Sequence, residues 1–434
     1  MNNDITVNPM TTPLYGEITI PSDKSISHRS IIIGALTNGK VKISNFSICA
    51  DCLSTLNIYK NLGLEVEFLD EKTLIINSKN GLTPPDKMLD CGNSGTSMRL
   101  ITGVLSGQKF NSELFGDESL SKRPMKRIIE PLTLMGARIE SNDYKAPLKI
   151  KGSKLTGIKY ESKIASAQVK SSILLAGLFA SGETTVVEPY LSRNHSELML
   201  KYFDSDIKEE KFDNKYLTSI RSSFLLPKDL YIPGDISSAA FFMVAAAIVK
   251  GSDVIIKNVG LNETRTGIID VMKQMNADIE ILDLRILNNE SVGDIRVKYS
   301  PDLKGIEIKG EIIPRLIDEI PIITVLALNA EGKTVIKDAS DLKNKESDRI
   351  NSLAFELNKM NADIIPTPDG FIINSSGKKQ LSGGAELNCY HDHRLIMSFY
   401  VASLVSKKQN KINDFKWVNT SFPEFLGLFN RLGV

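Results

Sequence analysis

Four cysteines, four histidines and a single tryptophan stand in 434 residues, and each scarcity closes off a class of function. Cys49, Cys52, Cys91 and Cys389 are too few for the disulfide framework of a secreted scaffold. Cys49 and Cys52 have CxxC spacing, but no second pair follows at a zinc-ligand interval. That pair reads first as two small residues flanking an Asp51 helix cap, with a metal or redox role as the minor reading; no metal is expected. An excess of either charge is also missing. Lys and Arg number 53 against 52 Asp and Glu, which gives no broad attraction to nucleic acid or to a membrane surface. Long apolar runs are absent: Ala239 to Val249 is too short to cross a bilayer. The opening MNNDITVNPMTTPLYGEITI lacks the basic region and apolar core of a signal or transit peptide. The expectation is a cytoplasmic chain with neither nucleic acid nor membrane as partner. What remains is ordinary globular composition, 42% hydrophobic and 24% charged, in a chain long enough to need two domains.

The stretch Ile20 to Arg29, IPSDKSISHR, gathers Lys24, His28 and Arg29 among Ser22, Asp23, Ser25 and Ser27. The Ser/Asp group suits a helix N-cap, and Ile31 to Leu36 suits a buried helix behind it. A helix start offers free N–H groups and a positive dipole end, and two added cations make it a candidate phosphate or carboxylate site. A capped helix with solvated charges fits the same ten residues. The pattern returns at Ile232, as IPGDISSAAFFMVAAAIVKGSDVIIKN, and more weakly near Asp90, Ile164, Leu316 and Tyr390. That makes six units at intervals of roughly 70–80 residues, longer than the usual solenoid periods. Each unit carries a second amphipathic helix that ends in a small turn and runs into a strand, as in IYKNLGLEVEFL, VMKQMNADIEIL and LNKMNADIIP. Met125, Ile128, Ile129, Leu132 and Met135 recur at helical spacing, and Gly63 and Gly136 stand where a helix C-terminus wants a left-handed residue. Each unit reads strand–helix–strand–helix–strand–strand.

The loops at the helix starts share a theme. Lys24, Arg29, Arg99, Arg123, Arg193, Lys345, Arg349 and Arg394 all fall there. Cations oppose the dipole at a helix N-terminus. Eight of them point to anions held between the loops, and Arg is suited to a two-pronged grip on carboxylate or phosphate. Asp318 and Glu346 are the acids best placed among them for proton transfer. His28, His391 and His393 lie in the same stretches, where a structural hydrogen bond is the commoner role.

PSDKSISHR, GNSGTSMR, GDESLSKRPM, SAQVKS, PGDISS, IDEIP, KESDR and DHR occur in that order over the whole chain. Together they resemble the 5-enolpyruvylshikimate-3-phosphate synthase family, the 3-phosphoshikimate 1-carboxyvinyltransferases. The resemblance implies an α/β fold: a two-lobed inside-out α/β barrel of six βαβαββ repeats, three per lobe. It implies one lobe of residues 1–22 plus 235–434, a second of residues 23–234, and an active site in the cleft between them. It implies transfer of the enolpyruvyl group of phosphoenolpyruvate to the 5-hydroxyl of shikimate 3-phosphate, with release of phosphate through a tetrahedral intermediate, no cofactor and a monomeric chain. Residue by residue, it implies shikimate 3-phosphate contacts at Lys24, Ser25, Arg29, Ser166, Gln168, Arg193, Asp318 and Lys345. It implies a phosphoenolpyruvate site of Lys24, Gly95, Arg123, Gln168, Arg349 and Arg394, where glyphosate competes. Lys24, Asp318 and Glu346 would be catalytic: Asp318 facing the attacking hydroxyl, Glu346 and Lys24 serving the methylene proton.

There are departures from the family pattern. Ala167 stands where some members have a second Ser; Asn419-Thr420-Ser421-Phe422-Pro423 lacks a Lys found there in some; and Phe203-Asp204-Ser205-Asp206 replaces a usual Gly-Ala-Asp turn. The nearest rival is the sister enolpyruvyl transferase acting on UDP-N-acetylglucosamine, which generally carries a Cys in the loop matching Gly116–Met125; here that loop, GDESLSKRPM, has none. A non-catalytic anion-binding relative is the rival from another class, and the intact Lys24, Asp318, Glu346 and Arg394 weigh against it.

Overall fold

The computed structural model describes residues 4–79, 81–377 and 381–434, so residues 1–3 of the expected N-terminal segment lie outside the described residues. The chain is mixed α/β and divides into two compact units. A middle unit comprises Ser22–Ile232 with Ile286–Glu290. A terminal unit comprises the N-terminal segment ending at Pro21, Pro233–Arg285 and Ser291–Val434. Each has its own apolar core.

In the middle unit three four-stranded sheets follow one pairing scheme. A short first strand runs parallel to a second, which is antiparallel to a third, which closes a hairpin with the fourth. One sheet is Leu230–Tyr231, Lys40–Ser44, Leu74–Asn77 and Glu65–Phe68. Leu89–Asp90, Ser112–Phe115, Lys145–Lys151 and Arg138–Asn142 form the next. Lys159–Glu161, Glu183–Glu188, Lys215–Arg221 and Ile207–Phe212 form the last. The terminal unit repeats the scheme in Tyr15–Thr19, Asp253–Gly260, Glu290–Lys298 and Asp278–Leu287, whose hairpin tip Ile286–Glu290 is counted with the middle unit, and in Glu307–Ile308, Glu331–Ile336, Gly370–Ser376 and Ile364–Thr367. A three-stranded sheet ends it. There Glu386–Leu387 runs parallel to Asn410–Ile412, and Ile5–Val7, from the other end of the chain, pairs antiparallel to it.

Two kinds of helix serve these sheets. Lys24–Gly34, Gly95–Ser106 and Ala167–Gly177 in the middle unit are buried over most of their length, as are Ile236–Ile248, Ile320–Leu328 and His393–Leu404 in the terminal unit. A helix that is apolar on all sides belongs inside. The close approach of Gly95–Ser106 to Ala167–Gly177 needs Gly103, because a Cβ there would lie 2.1 Å from the Ser172 carbonyl oxygen. The second kind is half-buried: Ala50–Asn61, Lys126–Leu134, His195–Tyr202, Gly267–Gln274, Arg349–Asn358 and Phe425–Arg431. All six end in a left-handed residue: Gly63 (φ 90°), Gly136 (97°), Asp204 (63°), Asn276 (67°), Asn361 (62°) and Gly433 (102°). Asp204 therefore explains the unusual Phe203-Asp204 turn. Asp tolerates this conformation better than most residues, and its carboxylate also pairs with Lys228 at 2.7 Å.

Candidate active site

The middle unit gathers its candidate residues at the starts of its three buried helices. Asp23 caps the first, its carboxylate accepting from the Ile26 amide at 2.8 Å, which leaves Lys24 as the first helical residue. Lys24 Nζ meets Asp51 Oδ2 at 2.8 Å, with the two side chains 29% and 22% exposed. Asp51 was expected to cap its helix. Cys49 holds the cap position instead, and Asp51 lies in the first turn, free to turn its carboxylate to Lys24. Arg29 lies one turn deeper and is 3% exposed. Its guanidinium donates to Ser196 Oγ (2.7 Å), Ser171 Oγ (3.0 Å) and the Ser25 carbonyl (3.0 Å), all neutral oxygens. Burial lowers its pKa to about 10; Glu197 and Asp23 oppose this from a distance while Arg193 adds to it. A buried cation bedded only on neutral oxygens, with a second Arg near it, favours an anion alongside. His28 is no part of this chemistry. Its Nδ1 pairs with Thr55 Oγ1 at 2.7 Å, and burial drives its pKa down to about 3, so the ring is neutral.

The second helix start is closed by Ser94, whose hydroxyl accepts from the Ser97 amide at 3.1 Å. Gly95 follows, and a Cβ on it would lie 2.9 Å from Arg99 Nη1 and 3.6 Å from Arg123 Nη1, so its bare face looks onto two guanidinium groups. Arg123 donates to Asn93 Oδ1 at 3.4 Å, and Asn93 donates to Asp117. Arg123 terminates the short helix Glu118–Lys122, so it lies at a helix end and not at a start. At the third helix start Ser166 is the cap residue, but its hydroxyl makes no cap bond; its amide donates to Glu188 Oε1 at 3.1 Å. Gln168 receives Arg99 Nη1 on its carbonyl at 2.6 Å and donates to Thr96 Oγ1 at 3.1 Å. Arg193 precedes the helix His195–Tyr202. Below this surface Lys170 is buried between Glu197 at 2.7 Å and Glu188 at 2.8 Å, and it also donates to the Ser192 carbonyl at 3.2 Å.

The terminal unit assembles a different arrangement. Asp318 and Glu319 precede the helix Ile320–Leu328. Asp318 Oδ1 lies 3.2 Å from Lys345 Nζ and 3.7 Å from Arg349 Nη1. The buried Arg349 grips Asp392 through Nε (2.7 Å) and Nη2 (3.2 Å), and Nη2 also meets Glu346 at 2.6 Å. Burial works against its charge, and Asp392 and Glu346 outweigh it, raising the guanidinium above its ordinary value. Only Nη1 makes no hydrogen bond. Arg394 donates to the Asp318 carbonyl at 3.2 Å and lies 4.0 Å from Glu319. Asp392 caps the helix that carries Arg394, accepting from its amide at 3.0 Å.

The eight cations are therefore not all waiting for an external anion. Arg349, Lys345 and Lys24 have carboxylate partners of their own, while Arg29 rests on two hydroxyls and a backbone carbonyl. Residue patterns missed Glu188, Glu197, Ser171 and Ser196, and marked Asp51 as a cap and Asp392 as a loop residue without their partners Lys24 and Arg349. The DHR motif contained Asp392, the SAQVKS motif contained Ser171, and Ser196 and Glu197 follow Arg193 closely, but nothing local marked which side chain they would meet. His391 packs in a tilted arrangement against Trp417, with ring centroids 4.7 Å apart. Two surface recesses, about 760 Å³ beside Ile129, Tyr144 and Tyr160 and about 320 Å³ beside Leu328 and Asn374, hold none of the candidate residues.

The family model for EPSP synthase (3-phosphoshikimate 1-carboxyvinyltransferase) matches residues 9–428. The chain belongs to the EPSP synthase family. Its relatives include the 3-phosphoshikimate 1-carboxyvinyltransferase of Thermoanaerobacter sp. (strain X514), 50% identical over 420 residues that cover 96% of this chain and 98% of the other. That of Petrotoga mobilis is 48% identical over 433 residues, 99% of each chain. The EPSP synthase structure from Acinetobacter baumannii superposes with a TM-score of 0.89 at 44% identity, covering 99% of this chain and 98% of that one. A family fold at this identity accounts for the order of the motifs along the whole chain.

Proposed function

We propose that this chain transfers the enolpyruvyl group of phosphoenolpyruvate to the 5-hydroxyl of shikimate 3-phosphate and releases phosphate, a step toward chorismate and the aromatic amino acids. The observation that carries the proposal is Asp318, held 3.2 Å from Lys345 Nζ and 3.7 Å from Arg349 Nη1, a carboxylate fixed between cations in a family member. In the addition step the substrate hydroxyl oxygen bonds to C2 of phosphoenolpyruvate and gives its proton to Asp318. The C2–C3 π pair takes a proton at C3 from Lys24 or Glu346. In the elimination step that side chain removes a C3 proton, the double bond re-forms and the C2–O bond to phosphate breaks. Cations around the departing phosphate stabilise the charge that develops on it. Arg29 with Ser25, Ser166, Gln168 and Arg193 would hold shikimate 3-phosphate, joined by Asp318 and Lys345. Lys24, Gly95, Arg123, Gln168, Arg349 and Arg394 would hold phosphoenolpyruvate. None of these steps calls for an organic cofactor or a metal.

The same reading makes each unit a lobe of three βαβαββ repeats with its helices inside, divided as residues 1–22 plus 235–434 and 23–234, with one reaction served by both. The shared pairing scheme of the sheets and the six left-handed helix ends support it. We take the working enzyme to be a cytoplasmic monomer. Phosphate release is the test. It should require phosphoenolpyruvate and shikimate 3-phosphate together, and release driven by UDP-N-acetylglucosamine in place of the shikimate ester would overturn the assignment.

Gly95→Ala gives a sharper check on the phosphoenolpyruvate site. The added methyl points at Arg99 Nη1, 2.9 Å away, the far end of a side chain that Gln168 Oε1 holds at 2.6 Å, and at Arg123. Gly95 has an ordinary backbone conformation, so Ala folds there without strain. The pocket wall moves inward, and the longer glyphosate should lose more affinity than phosphoenolpyruvate. A clash of about 1–3 kcal/mol corresponds to about 5- to 150-fold. Inhibition and Michaelis constants for both forms decide it: an unchanged ratio of the two would remove Gly95 from the pocket.

A further inference from the structure

Cys49 and Cys52 take no part in the chemistry above, yet they stand beside Lys24. Cys49 is the N-cap of the Ala50–Asn61 helix, but it makes no side-chain cap bond, unlike Asp23, Ser94, Asp235 and Asp392 at their own helices. Its sulfur therefore lies at a helix N-terminus whose amides favour negative charge. Cys52 is three residues on, the position an N-cap side chain naturally reaches. Cys52 Sγ donates to the Lys24 carbonyl oxygen at 3.6 Å. Asp51, between them in sequence, holds Lys24 Nζ at 2.8 Å.

We propose that Cys49 and Cys52 form a peroxide-sensitive dithiol, and that its closure to a disulfide slows turnover through Lys24. The geometry that permits it is two free thiols at the cap and the third residue of one helix start, with the Lys24 counterion between them in sequence. The Cys52 hydrogen bond brings the Cys49 thiol down to about 6 against the effect of burial, with Lys24 and Ser47 assisting. Burial pushes the thiols of Cys91 and Cys389 up, so the reactive thiolate is Cys49. Cys49 is 8% exposed and Cys52 0%, which suits a small oxidant such as hydrogen peroxide over a bulky disulfide.

The Cys49 thiolate attacks one peroxide oxygen, the O–O bond breaks and hydroxide leaves, giving a sulfenic acid. Cys52 then gives up its proton and attacks the Cys49 sulfur, and the sulfenic oxygen leaves as water. Two thiols are oxidised, and one peroxide is reduced to two waters. The product removes the proton that Cys52 offers the Lys24 carbonyl and the negative charge beside the Lys24 side chain, and it ties the turn that carries Asp51.

Peroxide treatment of the full-length enzyme, alkylation and peptide mapping test the proposal, with phosphate release measured alongside. The expected result is a Cys49–Cys52 peptide two hydrogens lighter, and turnover lower by about tenfold to a hundredfold, the scale of an ångström-sized misplacement. Dithiothreitol should restore activity, and Cys49→Ser and Cys52→Ser should keep theirs under peroxide. A map without the linkage overturns the dithiol. A linkage with unchanged turnover, or equal losses in the Ser variants, overturns control through Lys24. The activity arm rests on the proposed function and the map does not. An untreated enzyme that releases no phosphate counts against that function, while the map still decides the dithiol.

Discussion

Replacing Lys24 by Met should lower turnover by about a thousandfold, within the range for losing a group that moves a proton or stabilises developing charge. The fold should survive. Lys24 is on the first turn of its helix, its cap is Asp23, and neither the cap bond at 2.8 Å nor the buried Ile31, Ile32 and Ile33 depends on the ammonium. The Lys24–Asp51 pair is part-exposed on both sides, and pairs of that kind contribute about 0–1 kcal/mol. Met keeps the aliphatic stem. Steady-state rates with both substrates, together with thermal melting, separate the two effects. Near-normal turnover at an unchanged melting temperature would remove Lys24 from the reaction. A collapse of stability would show that the ammonium is structural.

Lys170→Met should do the opposite: a large loss of stability from a residue that no ligand is proposed to touch. Lys170 is 1% exposed, with Glu188 and Glu197 3% and 0% exposed beside it. Met fills similar volume but leaves two buried carboxylates without a counter-charge, and breaking a buried pair in this way costs about 3–5 kcal/mol. Burial alone would lower the Lys170 pKa; Glu197 and Glu188 outweigh it and raise it above 10.5. A raised lysine pKa means the contribution is complete below the unfolded value of 10.5 and is lost only as pH climbs through the folded one. The Lys170 contribution in the wild-type protein should therefore be flat across the neutral range. Denaturant midpoints for Lys170→Met and for Lys170→Met combined with Glu188→Gln and Glu197→Gln check the cause. Recovery of most of the loss in the triple variant is expected, and no recovery would mean that packing, not charge, was removed. Because Glu188 also accepts the Ser166 amide at 3.1 Å, the single variant should loosen the Ser166–Gln168 helix start as well.

What the amino-acid order determined by itself was local. Asp23 before Lys24 and an isoleucine run is enough to start and bury a helix, since a cap needs only a carboxylate within three residues and burial needs only a run of apolar side chains. Gly63 and Gly136 mark helix ends for the same local reason, left-handed backbone, and Asp204, Asn276 and Asn361 occupy the equivalent turns with residues that also tolerate it. The clustering of cations at helix starts was legible because repetition places each loop at the same point of its unit. The partners of those cations were decided only by tertiary structure. Arg349 meets Asp392, 43 residues away, and Arg29 meets Ser171 and Ser196, 142 and 167 residues away. Asp51 reads locally as a cap, yet it turns to Lys24, 27 residues back. Cys49 and Cys52 read as small residues until Lys24 is seen against them. Coulomb energy depends on separation in space, and a charged loop looks solvated until the neighbouring loop that shares its surface is in place.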